Sequence, residues 1–292
     1  MTIKHSMFLR PSQTINCRGQ LIDISTPAVM GIINITPDSF FSGSRFNSEA
    51  AILERVGQIV DEGGSMVDVG AYSSRPGAEN VSADIELARL LPALKVIRDR
   101  YPNLIVSVDT FRAEVAERVV TEGFADIIND ISGGEMDGAM FDTVARLKVP
   151  YILMHMQGTP DTMQLNPTYM DVVADVSLWL SERVDKLRSM GVNDIIIDPG
   201  FGFGKTVEHN YSMLNRLDEF RLFQLPLLVG LSRKSMIYKV LDGDPEGSLN
   251  GTTALNTVAL LKGANILRVH DVKEAVECVK LVSELKSVSK TS

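Results

Sequence analysis

Cysteine, tryptophan and histidine are scarce in these 292 residues, which hold two Cys, one Trp and four His. The two cysteines, Cys17 and Cys278, lie near opposite ends of the sequence, and neither has a second cysteine at metal-ligand spacing. A disulfide framework and a thiolate zinc site are thereby excluded, and both thiols are expected to be reduced. No apolar run approaches the roughly 20 residues that a bilayer span requires. The N-terminal stretch MTIKHSMFLRPSQTINCRGQ lacks the apolar heart of a secretory signal. The expectation is a cytoplasmic protein, so the N-x-[ST] matches at Asn34, Asn80, Asn210 and Asn250 carry no meaning. Positive charge is also short: 29 Lys and Arg against 37 Asp and Glu give a net charge of −8. That argues against nucleic acid as a partner and leaves any anionic ligand to a few local cations. Arg75, Lys205, Arg233, Lys234 and Arg268 are the ones to follow.

Apolar residues, by contrast, make up 45% of the chain, ample for a core. Short β-branched runs recur at 28–35, 66–71, 104–110, 126–132, 150–156, 194–200, 226–232 and 266–270. They are almost continuously apolar, as parallel strands covered on both faces must be. Amphipathic stretches such as SEAAILERVGQIVDEGG and ADIELARLLPALKVIRDRYP lie between them. Asp271 and Glu274 fit a cap and an acidic first turn for the last helix. Eight strand–helix units suggest either a closed barrel or a doubly wound open sheet. The count favours the barrel, and no linker-like segment divides the chain. The expected architecture is α/β, an eight-stranded parallel (β/α) TIM-type barrel forming one domain over 1–292. Residues 1–25 form a hairpin that closes the bottom, and 26–288 form the barrel.

Each strand ends on a polar residue: Asn34, Asp68, Asp109, Asn129, His155, Asp198, Ser232 with Arg233 and Lys234, and Arg268 with His270. One such residue is as readily a helix cap as anything else. Eight together mark the C-terminal rim, where barrels build their sites.

The segment DPGFGFGKT, Asp198 to Thr206, invites a nucleotide reading. A phosphate-binding P-loop would need glycine where Pro199 stands, and the dinucleotide fingerprint would need it at Lys205. Both fail. What remains is an acid at a strand end and a glycine-rich loop against which something flat can lie. Two carboxylates and a carboxamide, Asp109, Asp198 and Asn129, suit a heterocycle with adjacent N–H donors and acceptors. Arg268 and His270, two apart on one strand face, suit an anion. Lys205 reads as either a solvated loop cation or a phosphate contact. His155, between Met154 and Met156, reads as packed rather than catalytic.

The blocks MGIINITPDSF (30–40), SSRPGAE (73–79), SVDT (107–110), IINDISG (127–133), LMHMQGTP (153–160), DPGFGFGK (198–205), LVGLSRKSM (228–236) and LRVHDV (267–272) closely resemble the dihydropteroate synthase family. They occur in the family's order and cover about 28–272. The resemblance implies condensation of hydroxymethyl-dihydropterin pyrophosphate with p-aminobenzoate in folate synthesis, the step that sulfonamides block. It implies that Asp109, Asn129, Asp198 and Lys234 bind the pterin. Asn34 would ligate Mg²⁺, and Asn34, Arg268 and His270 would hold the pyrophosphate. Asp38 and Arg75 would complete the catalytic group with Lys234, Arg268 and His270. Phe40, Ser74, Pro76 and Ser235 would bind p-aminobenzoate, Ser235 from a helix N-terminus. Loss of pyrophosphate would leave a pterin methylene cation for the aniline nitrogen to attack, so no side-chain nucleophile is needed. A homodimer through late helices is also implied.

The sequence departs from the family pattern at Ser42, Ala71, Tyr72 and Ser74. Two other readings share the pterin floor: a pterin-dependent methyl-transfer domain and a binding paralogue without turnover. SRKS and TPDSF argue against the first, and the matched rim residues against the second.

Overall fold

The structure, a computed structural model, describes residues 14–35, 45–72 and 81–288. A two-stranded antiparallel hairpin opens it, β1 (Thr14–Cys17) and β2 (Gln20–Asp23). Eight parallel strands follow: β3 (Ala28–Asn34), β4 (Met66–Gly70), β5 (Ile105–Asp109), β6 (Ile127–Asp130), β7 (Tyr151–Met154), β8 (Ile195–Asp198), β9 (Leu228–Val229) and β10 (Ile266–Val269). Their order is β8-β7-β6-β5-β4-β3-β10-β9, and a parallel bridge between Ile197 and Leu227 joins the two ends into a barrel. Helices cover the outside, among them Arg45–Asp61 after β3, Ala83–Arg100 after β4 and Val272–Val288 after β10. The expected barrel is the observed one.

The strands alternate, although their apolar composition hides it. Val67, Val69, Val106, Val108, Ile128, Leu153, Ile195, Ile197 and Val229 face out into the shell between barrel and helices. The inward set at the strand starts is also apolar: Met30, Met66, Ile105, Ile127, Ile152, Ile196, Leu228 and Ile266 fill the barrel floor. Ile15 and Cys17 of the hairpin and Ile24 after it seal that floor from below. Polar residues at the strand starts pin the hairpin there. Asp194 accepts from the Asn16 amide (3.0 Å), and Arg18 pairs with Asp126 (2.7 Å). Burial at Cys17 pushes its thiol up to about 12, so it stays protonated. Both cysteines are free and buried.

Above the floor the same inward positions turn polar: Asp68, Ser107, Asp109, Asn129, Asp198 and Arg268. Pairing register puts Gly70 beside Asp109 and Asp109 beside Asn129, while Asp198 pairs with Met154. A Cβ at Gly70 would lie 3.3 Å from Asp109 Cβ, so the glycine gives the acid its room.

Among the described residues no helix is long and apolar enough to cross a membrane. The last helix carries Glu274 in its first turn, as expected. Asp271 precedes that helix as expected, its carbonyl accepting the Ala275 amide (3.3 Å), and its carboxylate takes both Nε (3.1 Å) and Nη2 (2.5 Å) of Arg233.

Candidate active site

Asp68 is the centre of the rim's charge network. It is fully buried, and its Oδ2 accepts from Arg268 Nε (2.6 Å) and Asn129 Nδ2 (3.0 Å). Arg268 also donates through Nη2 to Asp109 Oδ2 (2.9 Å). With the Asn129 amide nitrogen turned to Asp68, its carbonyl oxygen has no hydrogen-bond partner among the described residues. In the sequence Asp68 stands among the strand-end polar residues, outside the expected site. Its inner-face parity with Asp109 was the available signal. Burial raises the Asp109 carboxyl to about 7, with Arg268 opposing and Asp68 adding to the rise.

Asp198 is buried at the end of β8. The Gly200 amide donates to its Oδ1 (2.8 Å), and its own carbonyl takes the His155 amide (3.0 Å). Burial raises its pKa, while the nearby Lys234 charge pulls it back. Lys234 donates to the Phe201 carbonyl and lies 4.4 Å from the centroid of the Phe203 ring. Burial brings its ammonium down to about 8, with Asp198 acting against that shift. Ser235 opens the four-residue helix Ser235–Tyr238 directly behind Lys234 and is half-buried.

The glycines of the loop after β8 have a part inside the protein itself. Gly200 has φ +72, and a Cβ there would stand 1.8 Å from the His155 carbonyl oxygen. At Gly204, φ +61, it would meet the Gln157 oxygen at 2.5 Å. These glycines admit the neighbouring β7 loop, a close backbone approach within the protein. Lys205 is neither solvated nor turned outward: it is 3% exposed. Its ammonium reaches His155 Nδ1 (2.9 Å), Gly200 O (2.9 Å) and Phe203 O (3.0 Å), and so braces the loop. Burial and the Lys205 charge hold His155 down at about 2, which disqualifies it as a base and fits the packed reading.

On the other side of the rim a cavity of about 470 Å³ is lined by Asn34, Arg55, Arg233 and His270, among others. Asn34 is exposed at the end of β3. His270 is half-buried. Its Nδ1 lies 3.0 Å from Ser232 Oγ, its amide donates to the same oxygen (3.1 Å), and Arg55 Nη2 donates to its carbonyl (2.6 Å). Burial with the charges of Arg268 and Arg233 brings the imidazole down to about 4, so it is neutral near pH 7. Arg55 had no signal in the sequence, since nothing sets it apart from the other charged residues of an amphipathic helix.

Asp38, Phe40, Ser42, Ser74, Arg75 and Pro76 lie outside the described residues. Of the departures, Ala71 is buried and its carbonyl accepts from Arg89 Nη1 (3.1 Å). The Tyr72 ring packs edge-on against Phe111 (5.2 Å), with Arg112 5.6 Å from its centroid. Those contacts accommodate the tyrosine without a carboxylate there.

Two acids, a carboxamide and a lysine thus meet on one inner rim of a parallel barrel, with an arginine and a histidine alongside. Residues 30–270 match the family described as "Pterin binding enzyme". The chain is 44% identical over 267 residues to dihydropteroate synthase of Escherichia coli (strain K12), covering 91% of this chain and 94% of that one. The fold is similar to the Yersinia pestis dihydropteroate synthase solved with a sulfonamide drug, with TM-score 0.87, 39% identity, and coverage of 94% and 99%. It is also similar to the Xanthomonas albilineans dihydropteroate synthase solved with 4-aminobenzoic acid, with TM-score 0.86, 36% identity, and coverage of 94% and 98%. This chain belongs to the pterin-binding enzyme family, in its dihydropteroate synthase branch.

Proposed function

We propose that this protein is a transferase that condenses hydroxymethyl-dihydropterin pyrophosphate with p-aminobenzoate, giving dihydropteroate and pyrophosphate. The observation that carries the reading is the meeting, on one inner rim, of Asp109, Asn129, Asp198 and Lys234 with Arg268, beside the His270 cavity. Asp198 pairs with an N–H and the exocyclic amine of the pterin, and Lys234 donates to its carbonyl. Asn129 accepts with the oxygen that Asp68 leaves open. The C–O bond to pyrophosphate breaks with its electron pair going to the leaving group, which Arg268 and His270 receive. The aniline nitrogen then bonds to the methylene carbon and loses a proton to solvent. Ser235 holds the benzoate carboxylate.

Asn34 supplies a hard carboxamide oxygen beside the cavity, a donor that fits Mg²⁺ carried mainly by phosphate and water. When bound, that ion would offset charge on the departing pyrophosphate. We assign the protein to the cytoplasm and to a homodimer. Leu261 on helix Leu249–Leu261 and Leu281 and Leu285 on helix Val272–Val288 are exposed on the late side of the barrel, in keeping with a covered face.

The test is pyrophosphate release from the pterin substrate, with and without p-aminobenzoate and Mg²⁺. Release that needs both, with dihydropteroate formed in step, supports the synthase. Pterin binding without turnover would overturn it in favour of a binding protein.

A further inference from the structure

Ser232 is buried, and its single hydroxyl meets His270 twice. Oγ accepts the His270 backbone N–H (3.1 Å) and lies 3.0 Å from Nδ1 of the same residue. A serine hydroxyl has one hydrogen and two lone pairs. If Nδ1 carried a proton, both contacts would consume lone pairs, and the Ser232 hydrogen would need another acceptor. Among the described residues Ser232 Oγ has no other partner, and a buried donor left unsatisfied is costly. Donating that hydrogen to Nδ1 resolves both contacts.

We propose that Ser232 is a positioning residue that locks His270 in the Nε2–H tautomer, so that the imidazole presents a neutral N–H donor to the anion cavity it lines. The ring is held in the manner of a ligand histidine whose far nitrogen is fixed by a second group. The His270 peptide is fixed from both sides, its amide by Ser232 and its carbonyl by Arg55 (2.6 Å). The Ser232 loop is tied to the same place by Arg233 on Asp271 (3.1 Å from Nε) and by the Arg233 amide on Thr252 Oγ1 (3.1 Å). With an Nδ1–H tautomer, Nε2 would offer a lone pair to a phosphate oxygen, and the contact would be repulsive. The tautomer thus decides whether His270 attracts or repels its ligand.

The functional half of this proposal rests on the reading of His270 as a pyrophosphate contact, and the experiment separates the two. Nitrogen-15 NMR of the ligand-free protein at pH 7 should show His270 with Nε2 protonated and Nδ1 bare, and an Nδ1–H signature would overturn the tautomer assignment. Calorimetry with inorganic pyrophosphate then reads its consequence. Ser232→Ala should mix the tautomers and weaken pyrophosphate about tenfold, while Ser232→Thr, which keeps the hydroxyl, should restore both readouts. The KM for the pterin substrate should rise in Ser232→Ala with that for p-aminobenzoate within about twofold of wild type. Unchanged pyrophosphate affinity in a Ser232→Ala protein with mixed tautomers would overturn the positioning role. Failure of wild type to bind pyrophosphate with Nε2–H in place would overturn the anion reading of His270 alone. If Ser232→Ala does not fold, the wild-type spectrum and Ser232→Thr still decide the tautomer.

Discussion

Asp198 ends β8 and Ser235 opens the short helix after β9, and the proposed reaction gives them different halves. Asp198→Asn removes one of two acceptors for the pterin edge and should cost roughly 100-fold in pterin affinity. Ser235→Ala should weaken p-aminobenzoate about tenfold with pterin binding nearly intact. Calorimetry on each ligand measures both, and equal damage to the two ligands in either variant would contradict this division. Lys234 makes the pH dependence testable. Its folded-state pKa is depressed to about 8, so the ammonium is charged below that pH and neutral above it. If its charged form donates to the pterin carbonyl, kcat/KM for the pterin substrate should fall as pH rises through about 8. Lys234→Met should lower the plateau and abolish that limb.

At the scale of elements, two segments have separable tasks. The loop after β8 depends on backbone that passes within van der Waals contact of the β7 loop. Gly200→Ala forces a Cβ toward the His155 oxygen, 1.8 Å away in the present geometry, at a φ of +72. The loop must shift, and Asp198 loses its Gly200 amide, so pterin affinity should collapse along with a stability loss of more than about 1 kcal/mol. The hairpin is the opposite case. Ile15 is 1% exposed against the barrel floor, far from the rim. Ile15→Ala should cost about 2–5 kcal/mol in urea unfolding, with both KM values unchanged. A large change in KM would mean that the floor and the rim are coupled.

For the whole molecule, the exposed apolar side chains on the two last helices bear on assembly. Leu281 is 73% exposed and Leu285 58%, four residues apart on one face. Sedimentation should give about twice the 32.0 kDa chain mass, and Leu281→Glu with Leu285→Glu should give the single chain. A wild-type monomer would remove the dimer from the proposal without touching the site.

Strand and helix periodicity in the sequence determined the eight units, because parallel strands covered on both faces are largely apolar, and the polar residues breaking each run toward its C-terminal end marked the rim. The two acids and the carboxamide proposed for the heterocycle were legible for the same reason: Asp109, Asp198 and Asn129 each interrupt an apolar run near its end. Other features came only from tertiary structure, because they depend on which strands become neighbours. Asp68 and Arg268 are 200 residues apart, and the pairing of β3 with both β4 and β10 brings them close enough for one carboxylate to orient both Arg268 and Asn129. For Lys205 the sequence leaves a solvated cation and a phosphate contact equally open, and only the packing of two loops surrounds it with carbonyls. Ser232 and His270 lie 38 residues apart, and their mutual hydrogen bonds follow from strand pairing between β9 and β10. Composition and periodicity determine where a side chain emerges from an element. Which partner meets it, and so which proton it keeps, is decided by closure.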